Sequence, residues 1–334
     1  MLSSKIIGVG SYVPPRVITN FDLEKMMDTS NEWIIQRSGI EKRHWVTDEC
    51  TSDLALVAAQ NALSDAKISA KDLDMIILAT LSPDHDFPGT ACFIQQKLGI
   101  SEIPAFDIRQ QCSGFLYGLN MADSFIKSGQ YKNILLIGAE VHSKGIDKTP
   151  NGRNVSVLFG DGAGAVVITA TDAKDKNDSR IFHTEIRADG NFAKELWTPA
   201  PGSATGPIRL TPEILAQGLH FPYMNGKLVF VHAVKRMAEI LLLTLKKSGF
   251  ELNDIDLFLF HQANLRINQK VAEVLNLPEE KVFNTIQNFG NTTAATIPLG
   301  MDTAIKAGIL KPKMLVAMAG FGSGFTWGAS IARL

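Results

Sequence analysis

Asp254-Ile255-Asp256-Leu257-Phe258-Leu259-Phe260-His261-Gln262-Ala263-Asn264 is the stretch from which the fold can be read. Its four consecutive apolar residues, with no polar alternation, predict a short strand covered on both faces. The same pattern stands in the first half of the chain, where Asp72-Leu73-Asp74 precedes Met75-Ile76-Ile77-Leu78-Ala79. Further apolar runs lie at Ile134–Ile137 and Met314–Met318. Helix-period stretches occupy 51–66, 113–128, 233–248 and 264–276 between these runs. Strand–helix alternation of this kind predicts an α/β architecture.

The two aspartate-led strands suggest an internal duplication, and a second echo supports it. Ala122-Asp123 with Ile126-Lys127-Ser128-Gly129 resembles Met301-Asp302 with Ile305-Lys306-Ala307-Gly308. Asp123 and Asp302 are 179 residues apart, and so are Gly129 and Gly308. At that offset Cys112 maps onto Asn291, which puts the two opposite each other across a pseudo-twofold axis. The polar stretch 171–179 is the expected junction. The expected halves are therefore 1–173, carrying Cys112, and 174–334, carrying His261 and Asn291.

Composition excludes several classes. The chain has 334 residues, 45% hydrophobic and 20% charged, with a formal net charge of −1. This is a soluble globular composition with no general attraction for nucleic acid. No apolar run approaches the roughly 20 residues of a membrane span, and the first residues lack a signal peptide's apolar stretch. The three cysteines, Cys50, Cys92 and Cys112, are widely spaced without a CxxC pair. Neither a disulfide framework nor a zinc site is expected, and a reducing cytoplasm fits.

Cys112 follows the strand-like Phe106-Asp107-Ile108 and precedes a helical pattern beginning near Ser113-Gly114. A thiol at a helix N-terminus is exposed to the positive end of the helix dipole, which lowers its pKa. A buried structural cysteine is the commoner fate of a free thiol, and local sequence leaves both readings open. His261 stands where a buried strand exits into a loop, the place where α/β folds present functional groups. Asn291 lies in Asn288-Phe289-Gly290-Asn291-Thr292-Thr293-Ala294-Ala295-Thr296. An asparagine at a turn before a helix is ordinarily a cap. The glycine stretches Gly8-Val9-Gly10, Gly160–Gly164 and Gly320–Gly324 are not nucleotide loops: Pro14-Pro15 blocks a helix after the first, and strand-like sequence follows the others.

At these residues the sequence resembles the β-ketoacyl-acyl carrier protein synthase III family of the thiolase superfamily, over essentially its whole length. The resemblance rests on Lys5–Pro14, Asp28–Ile34, Phe159–Ala165, His261–Arg266, Gly290–Ala295 and Gly322-Ser323-Gly324-Phe325-Thr326-Trp327-Gly328. It implies a duplicated thiolase-like fold of five layers, αβαβα, in a cytoplasmic homodimer. It also implies an acyltransferase that starts fatty acid synthesis. Cys112 would take an acyl group from acyl-CoA, and the enolate of malonyl-acyl carrier protein, formed on loss of CO2, would attack it. Cys112, His261 and Asn291 would be the catalytic triad, with His261 and Asn291 donating to the malonyl thioester oxygen. Trp33, Arg37 and Arg153 would contact the CoA nucleotide, and Phe87 would shape the acyl pocket, reaching into the partner subunit. Arg266, Lys235 and Arg236 would face the acidic carrier protein. No metal or cofactor is implied beyond the thioester substrates, and no nucleic-acid or membrane partner.

Three features depart from the housekeeping pattern: Gln110-Gln111 before the nucleophile, the stretch Leu81–Asp86, and a long segment from Trp197 to Gly226. They resemble relatives that use longer or unusual acyl groups, one of which joins anthraniloyl-CoA to malonyl-CoA. A medium-chain or bulky starter is the corresponding expectation, with specialised metabolism the alternative setting.

Overall fold

The structure, a computed structural model, describes residues 2–173 and 175–334. Met1 lies outside the described residues, as does Lys174, which falls within the expected junction and opens the expected second half. Two mixed sheets carry the molecule. The first contains β1 (Ser3–Tyr12), β2 (Met75–Ala79), β3 (Ala105–Ile108), β4 (Asn133–Glu140) and β5 (Gly162–Thr171), in the spatial order β1-β5-β4-β2-β3. The second contains β6 (Arg180–Ala188), β7 (Leu257–Phe260), β8 (Leu315–Gly322) and β9 (Thr326–Arg333), in the order β7-β8-β9-β6. In each sheet a parallel pair (β2 with β4, β7 with β8) is followed by two antiparallel pairings. The repeated topology agrees with a duplicated chain.

The main helices are α1 (Asn31–Ser38), α2 (Thr51–Ala66), α3 (Thr90–Lys97), α4 (Gly114–Lys127), α5 (Gly226–Ser248), α6 (Leu265–Val274) and α7 (Thr296–Lys306). Strand periodicity shows how they stack. On β2, Met75 and Ile77 join a central apolar cluster with Phe115 and Leu119 of α4, while Ile76 and Leu78 join an outer cluster with α2. On β7, Leu257 and Leu259 face the same central cluster, while Phe258 and Phe260 pack with α5 and α6. Successive side chains of a strand point to opposite faces. Each sheet is therefore covered twice, and α4 and α7 lie between the two. This is the expected αβαβα layering. Truncating a buried leucine or methionine in such a layer typically costs about 2–5 kcal/mol.

Gly8 and Gly10 sit within β1 itself. A Cβ on either would lie 2.3 Å from the backbone of Ala62 in α2, so these glycines serve close helix–sheet packing and no nucleotide. Among the described residues no helix is long and apolar enough to cross a membrane.

The duplication needs one correction. The 179-residue spacing holds at the helix C-termini, where Lys127 pairs with Asp123 and Lys306 with Asp302. At the helix N-termini it does not. Gln111 and Thr293, each with a positive φ (44° and 50°), enter matching 3₁₀ turns 182 residues apart. β2 and β7 begin with that same spacing. The difference arises because α4 has 14 residues and α7 has 11. Cys112 is therefore matched by Ala294, and Asn291 lies three residues before the equivalent position.

Candidate active site

Cys112 is placed by a tight turn. β3 ends at Ile108, and the 3₁₀ turn Gln111–Ser113 leads directly into α4 at Gly114. Cys112 is buried there, against the strand β8. A Cβ on Gly322 would lie 2.7 Å from the Cβ of Cys112 and 3.0 Å from its amide nitrogen. Only glycine lets that backbone approach the thiol so closely. The turn and the glycine loop are also bonded together. Ser113 Oγ donates to Thr326 Oγ1 at 2.7 Å, and Thr326 Oγ1 donates to Ser323 O at 2.9 Å.

His261 leaves β7 with its backbone N–H still bonded to Ala319 O of β8, at 2.8 Å. Its Nδ1 lies 2.7 Å from Thr296 Oγ1, and its buried Nε2 has no partner among the described residues. Asn291 is pinned on both sides: its N–H donates to Leu158 O (2.8 Å), and its carbonyl accepts from Gly160 N (3.1 Å). The N–H of Thr293 donates to Asn291 Oδ1 at 2.9 Å. With the oxygen engaged, the amide's NH2 is left as the free donor end.

Cys112, His261 and Asn291 line one cavity of about 140 Å³, walled by Leu196, Met224, Val229, Phe230, Met237 and Ile267 among others. Three widely separated residues thus meet at the carboxyl ends of strands and the entries of helices. Burial pushes the Cys112 thiol up to about 12, and the nearby Glu140 carboxylate adds to the effect. This reverses the lowering expected from the helix terminus. A terminus contributes at most about 2 kcal/mol to an adjacent anion, too little to hold a thiolate at neutral pH against that burial. Burial likewise pushes His261 and His142 down to about 3.

That shift carries a pH prediction. Both rings would take up protons near pH 6.5 in the unfolded chain and stay neutral in the fold. Each therefore contributes stability above pH 6.5 that is lost as the pH falls towards 3. NMR titration of 15N-histidine-labelled protein is expected to show His261 and His142 neutral down to pH 5. A ring at either position protonating near pH 6.5 would mean that it is solvated.

The expected CoA contacts also assemble. The Arg153 guanidinium lies 4.2 Å from the centre of the Trp33 ring, and that of Arg37 5.6 Å. Asp28 approaches Arg153 at 3.8 Å.

Comparison with known proteins decides the family. Residues 106–190 match the family described as 3-oxoacyl-[acyl-carrier-protein (ACP)] synthase III, and residues 245–334 match its C-terminal domain. A beta-ketoacyl-[acyl-carrier-protein] synthase III of Koribacter versatilis is 43% identical over 331 residues, covering 99% of this chain and 97% of the relative. The crystal structure of 3-oxoacyl-[acyl-carrier-protein] synthase III from Aquifex aeolicus has a TM-score of 0.90 at 44% identity, covering 99% of this chain and 100% of that one. The priming beta-ketosynthase of the R1128 polyketide biosynthetic pathway has a TM-score of 0.89 at 28% identity, over 99% and 96% of the two chains.

The chain belongs to the synthase III family.

Within this synthase III fold, not every expected residue lines the Cys112 cavity of its own chain. Phe87 is 84% exposed and does not line the Cys112 cavity of its own chain. Its neighbours are occupied otherwise: Asp84 accepts from Ser52 N, and His85 packs on Phe93. The long segment meets the cavity only at its ends, through Leu196, Met224 and Gly226. The reason is local. Leu196–Trp197 pairs with Tyr223–Met224 in a short ribbon, which closes the base of the excursion. Arg266 is exposed, 5.8 Å from the ring of the cavity-lining Phe230. Lys235 and Arg236 are less free. Lys235 approaches Glu239 (3.9 Å), and Arg236 reaches Asp189 (3.8 Å) and the Trp327 ring (4.8 Å).

Several supporting groups escaped the sequence reading. Glu140 is fully buried, accepts from Thr80 Oγ1, Leu81 N and Ser82 Oγ, and is pushed up to about 7 by burial. His142 is hydrogen-bonded to Thr293 Oγ1. Thr293 and Thr296 stood in a quoted motif, but small polar residues before a helix read as caps. Nothing local announced that they hold a histidine and an asparagine.

Proposed function

We propose that this chain is an acyltransferase catalysing decarboxylative Claisen condensation of an acyl-CoA with malonyl-acyl carrier protein, giving the 3-oxoacyl product that begins fatty acid synthesis. The observation that carries the reading is the single cavity joining a thiol, an imidazole with an unpartnered Nε2 and an amide with a free NH2. Synthase III relatives at 43–44% identity over nearly the whole chain support it.

In the first half-reaction Cys112 Sγ bonds to the acyl carbon, the thioester C–S bond breaks, and the thiol proton ends on the departing CoA sulfur. In the second, the malonyl carboxylate leaves as CO2, and its electron pair passes into the thioester enolate. His261 and Asn291 stabilise the charge on that oxygen as it develops. The enolate carbon then bonds to the acyl carbon, and the Cys112 thiolate leaves and takes from solvent the one proton that the condensation consumes. Backbone N–H groups at Cys112 and in the Gly320–Gly324 loop hold the oxyanion of the acyl transfers. Trp33 offers its face to adenine, with Arg153 and Arg37 for phosphate. Arg266, exposed beside the cavity-lining Phe230, is the favoured carrier-protein contact, ahead of Lys235 and Arg236, which have acidic neighbours in the chain. Two features support a homodimer. β3 is an edge strand of its sheet, open to pairing with a second copy, and Phe87 is exposed on its own chain, where a partner could cover it. Three free thiols suit a reducing cytoplasm.

The test is intact-protein mass spectrometry with acetyl-, hexanoyl-, octanoyl- and anthraniloyl-CoA, followed by malonyl-carrier protein. The expected result is one acyl adduct on Cys112, discharged as a 3-oxoacyl product. Absence of any adduct overturns the reading. A larger starter outrunning acetyl-CoA would support the departures around Gln110-Gln111, whereas acetyl-CoA as the best substrate would remove that inference. Trp33→Ala and Arg153→Ala should each raise KM for acyl-CoA about tenfold with kcat nearly unchanged, the pattern of lost uniform binding. A fall in kcat with KM unchanged would remove these residues from the nucleotide site.

A further inference from the structure

A histidine that donates from Nε2 must have its proton there, and something must keep it there. His261 Nε2 is buried without a partner, and its ring lines the cavity, so Nδ1 is the only atom through which the protein can set the tautomer. Among the described residues Nδ1 has one hydrogen-bond partner, Thr296 Oγ1 at 2.7 Å. The same hydroxyl lies 3.1 Å from Thr293 O. It carries a single proton, and the two destinations have opposite consequences. If the proton goes to Thr293 O, the ring must donate from Nδ1, and Nε2 enters the cavity as a bare lone pair. If it goes to Nδ1, the ring proton resides on Nε2.

Two observations choose between them. The contact to Nδ1 is the shorter by 0.4 Å. Thr293 O is also already served, because the backbone N–H of Thr296 donates to it at the end of the 3₁₀ turn. The carbonyl does not need the hydroxyl, whereas Nδ1 has no other donor. We propose that Thr296 is the positioning residue that fixes His261 as the Nε2–H tautomer by donating its hydroxyl proton to Nδ1.

The turn that leads into Thr296, the first residue of α7, serves the second donor as well. Thr293 holds Asn291 Oδ1 with its N–H, at a positive φ of 50°, and His142 anchors the Thr293 hydroxyl. One short segment thus sets the direction of both hydrogen bonds that meet the malonyl thioester oxygen. This inference deepens the reading of His261 and Asn291 given above and rests on it.

The experiment uses the full-length enzyme with 15N-labelled histidine. Long-range 1H–15N correlations distinguish the two tautomers, and His261→Ala assigns the signal. Wild type is expected to show Nε2–H, and an Nδ1–H ring in wild type overturns the proposal. Thr296→Val keeps the shape and removes the hydroxyl. It should slow malonyl decarboxylation about tenfold or more, the scale of losing a partner that orients a functional ring, while Cys112 acylation from acyl-CoA stays within about twofold. Thr296→Ser should restore decarboxylation to within about threefold of wild type. Decarboxylation unchanged in Thr296→Val, or not restored in Thr296→Ser, overturns it. If Thr296→Val fails to fold, the wild-type tautomer and Thr296→Ser still decide. Wild type that is not acylated or does not decarboxylate malonyl thioester would instead reject the underlying functional reading.

Discussion

Cys112→Ala is expected to abolish the acyl-enzyme and to lower condensation by at least about 10³-fold, the scale of losing a covalent nucleophile. No other thiol can substitute. Cys50 caps α2 with its sulfur 3.1 Å from Asp53 Oδ2, and Cys92 is an exposed residue of α3. Neither lines the cavity that holds His261 and Asn291. The measurement is the intact mass after incubation with acyl-CoA. Wild type, Cys50→Ala and Cys92→Ala should each gain one acyl group, and Cys112→Ala none. A stoichiometric adduct surviving in Cys112→Ala would displace the nucleophile. The substitution itself should be mild for the fold, because alanine fits the turn and the close approach of Gly322 is kept.

The second large effect is expected from the two hydrogen-bond donors. His261→Ala and Asn291→Ala should each reduce malonyl decarboxylation by about 10²-fold or more, as removal of one oxyanion donor does elsewhere. Acyl transfer to Cys112 should survive at least in part, because the oxyanion site proposed for that step consists of backbone N–H groups. Following release of CO2 and of CoA separately distinguishes the two half-reactions. An equal loss of both in His261→Ala would assign the imidazole a different task, as the base that takes the Cys112 proton. The neutral ring makes that outcome chemically open, and the tautomer experiment discriminates it independently. A double variant no slower than either single variant would show that the two donors act as one unit.

The layers of this fold were legible because strand burial writes itself into sequence. Leu257–Phe260 and Met75–Ala79 are apolar at every position, as strands with both faces covered must be, and both formed with the expected bounds. The helix at 51–66 was equally plain, since its period is carried by its own side chains. The duplication was legible in outline and shifted in detail. A constant offset cannot reveal that α4 is three residues longer than α7, because both helices end alike while their starts differ. Phe87, read as reaching into the partner subunit, is exposed on its own chain, and the 198–226 segment, read near the acyl pocket, meets the cavity only through Met224 and Gly226. Whether a loop folds inwards depends on the ribbon that closes its base and on what surrounds the chain, neither of which is encoded in the loop.

Residue pattern by itself therefore determined the α/β class and marked Cys112, His261 and Asn291 as candidates, while their expected roles and the set at Trp33, Arg37 and Arg153 came from the resemblance to the synthase III family. Tertiary structure alone decided the state in which those groups are held. The burial that pushes the Cys112 thiol up and His261 down belongs to a cavity lined by residues of both halves. The hydroxyl facing Nδ1 arrives from the first residue of α7, 35 residues away. The N–H on Asn291 Oδ1 comes from a neighbour at a positive φ. Protonation and hydrogen-bond direction are properties of surroundings, and only the folded chain brings those surroundings together.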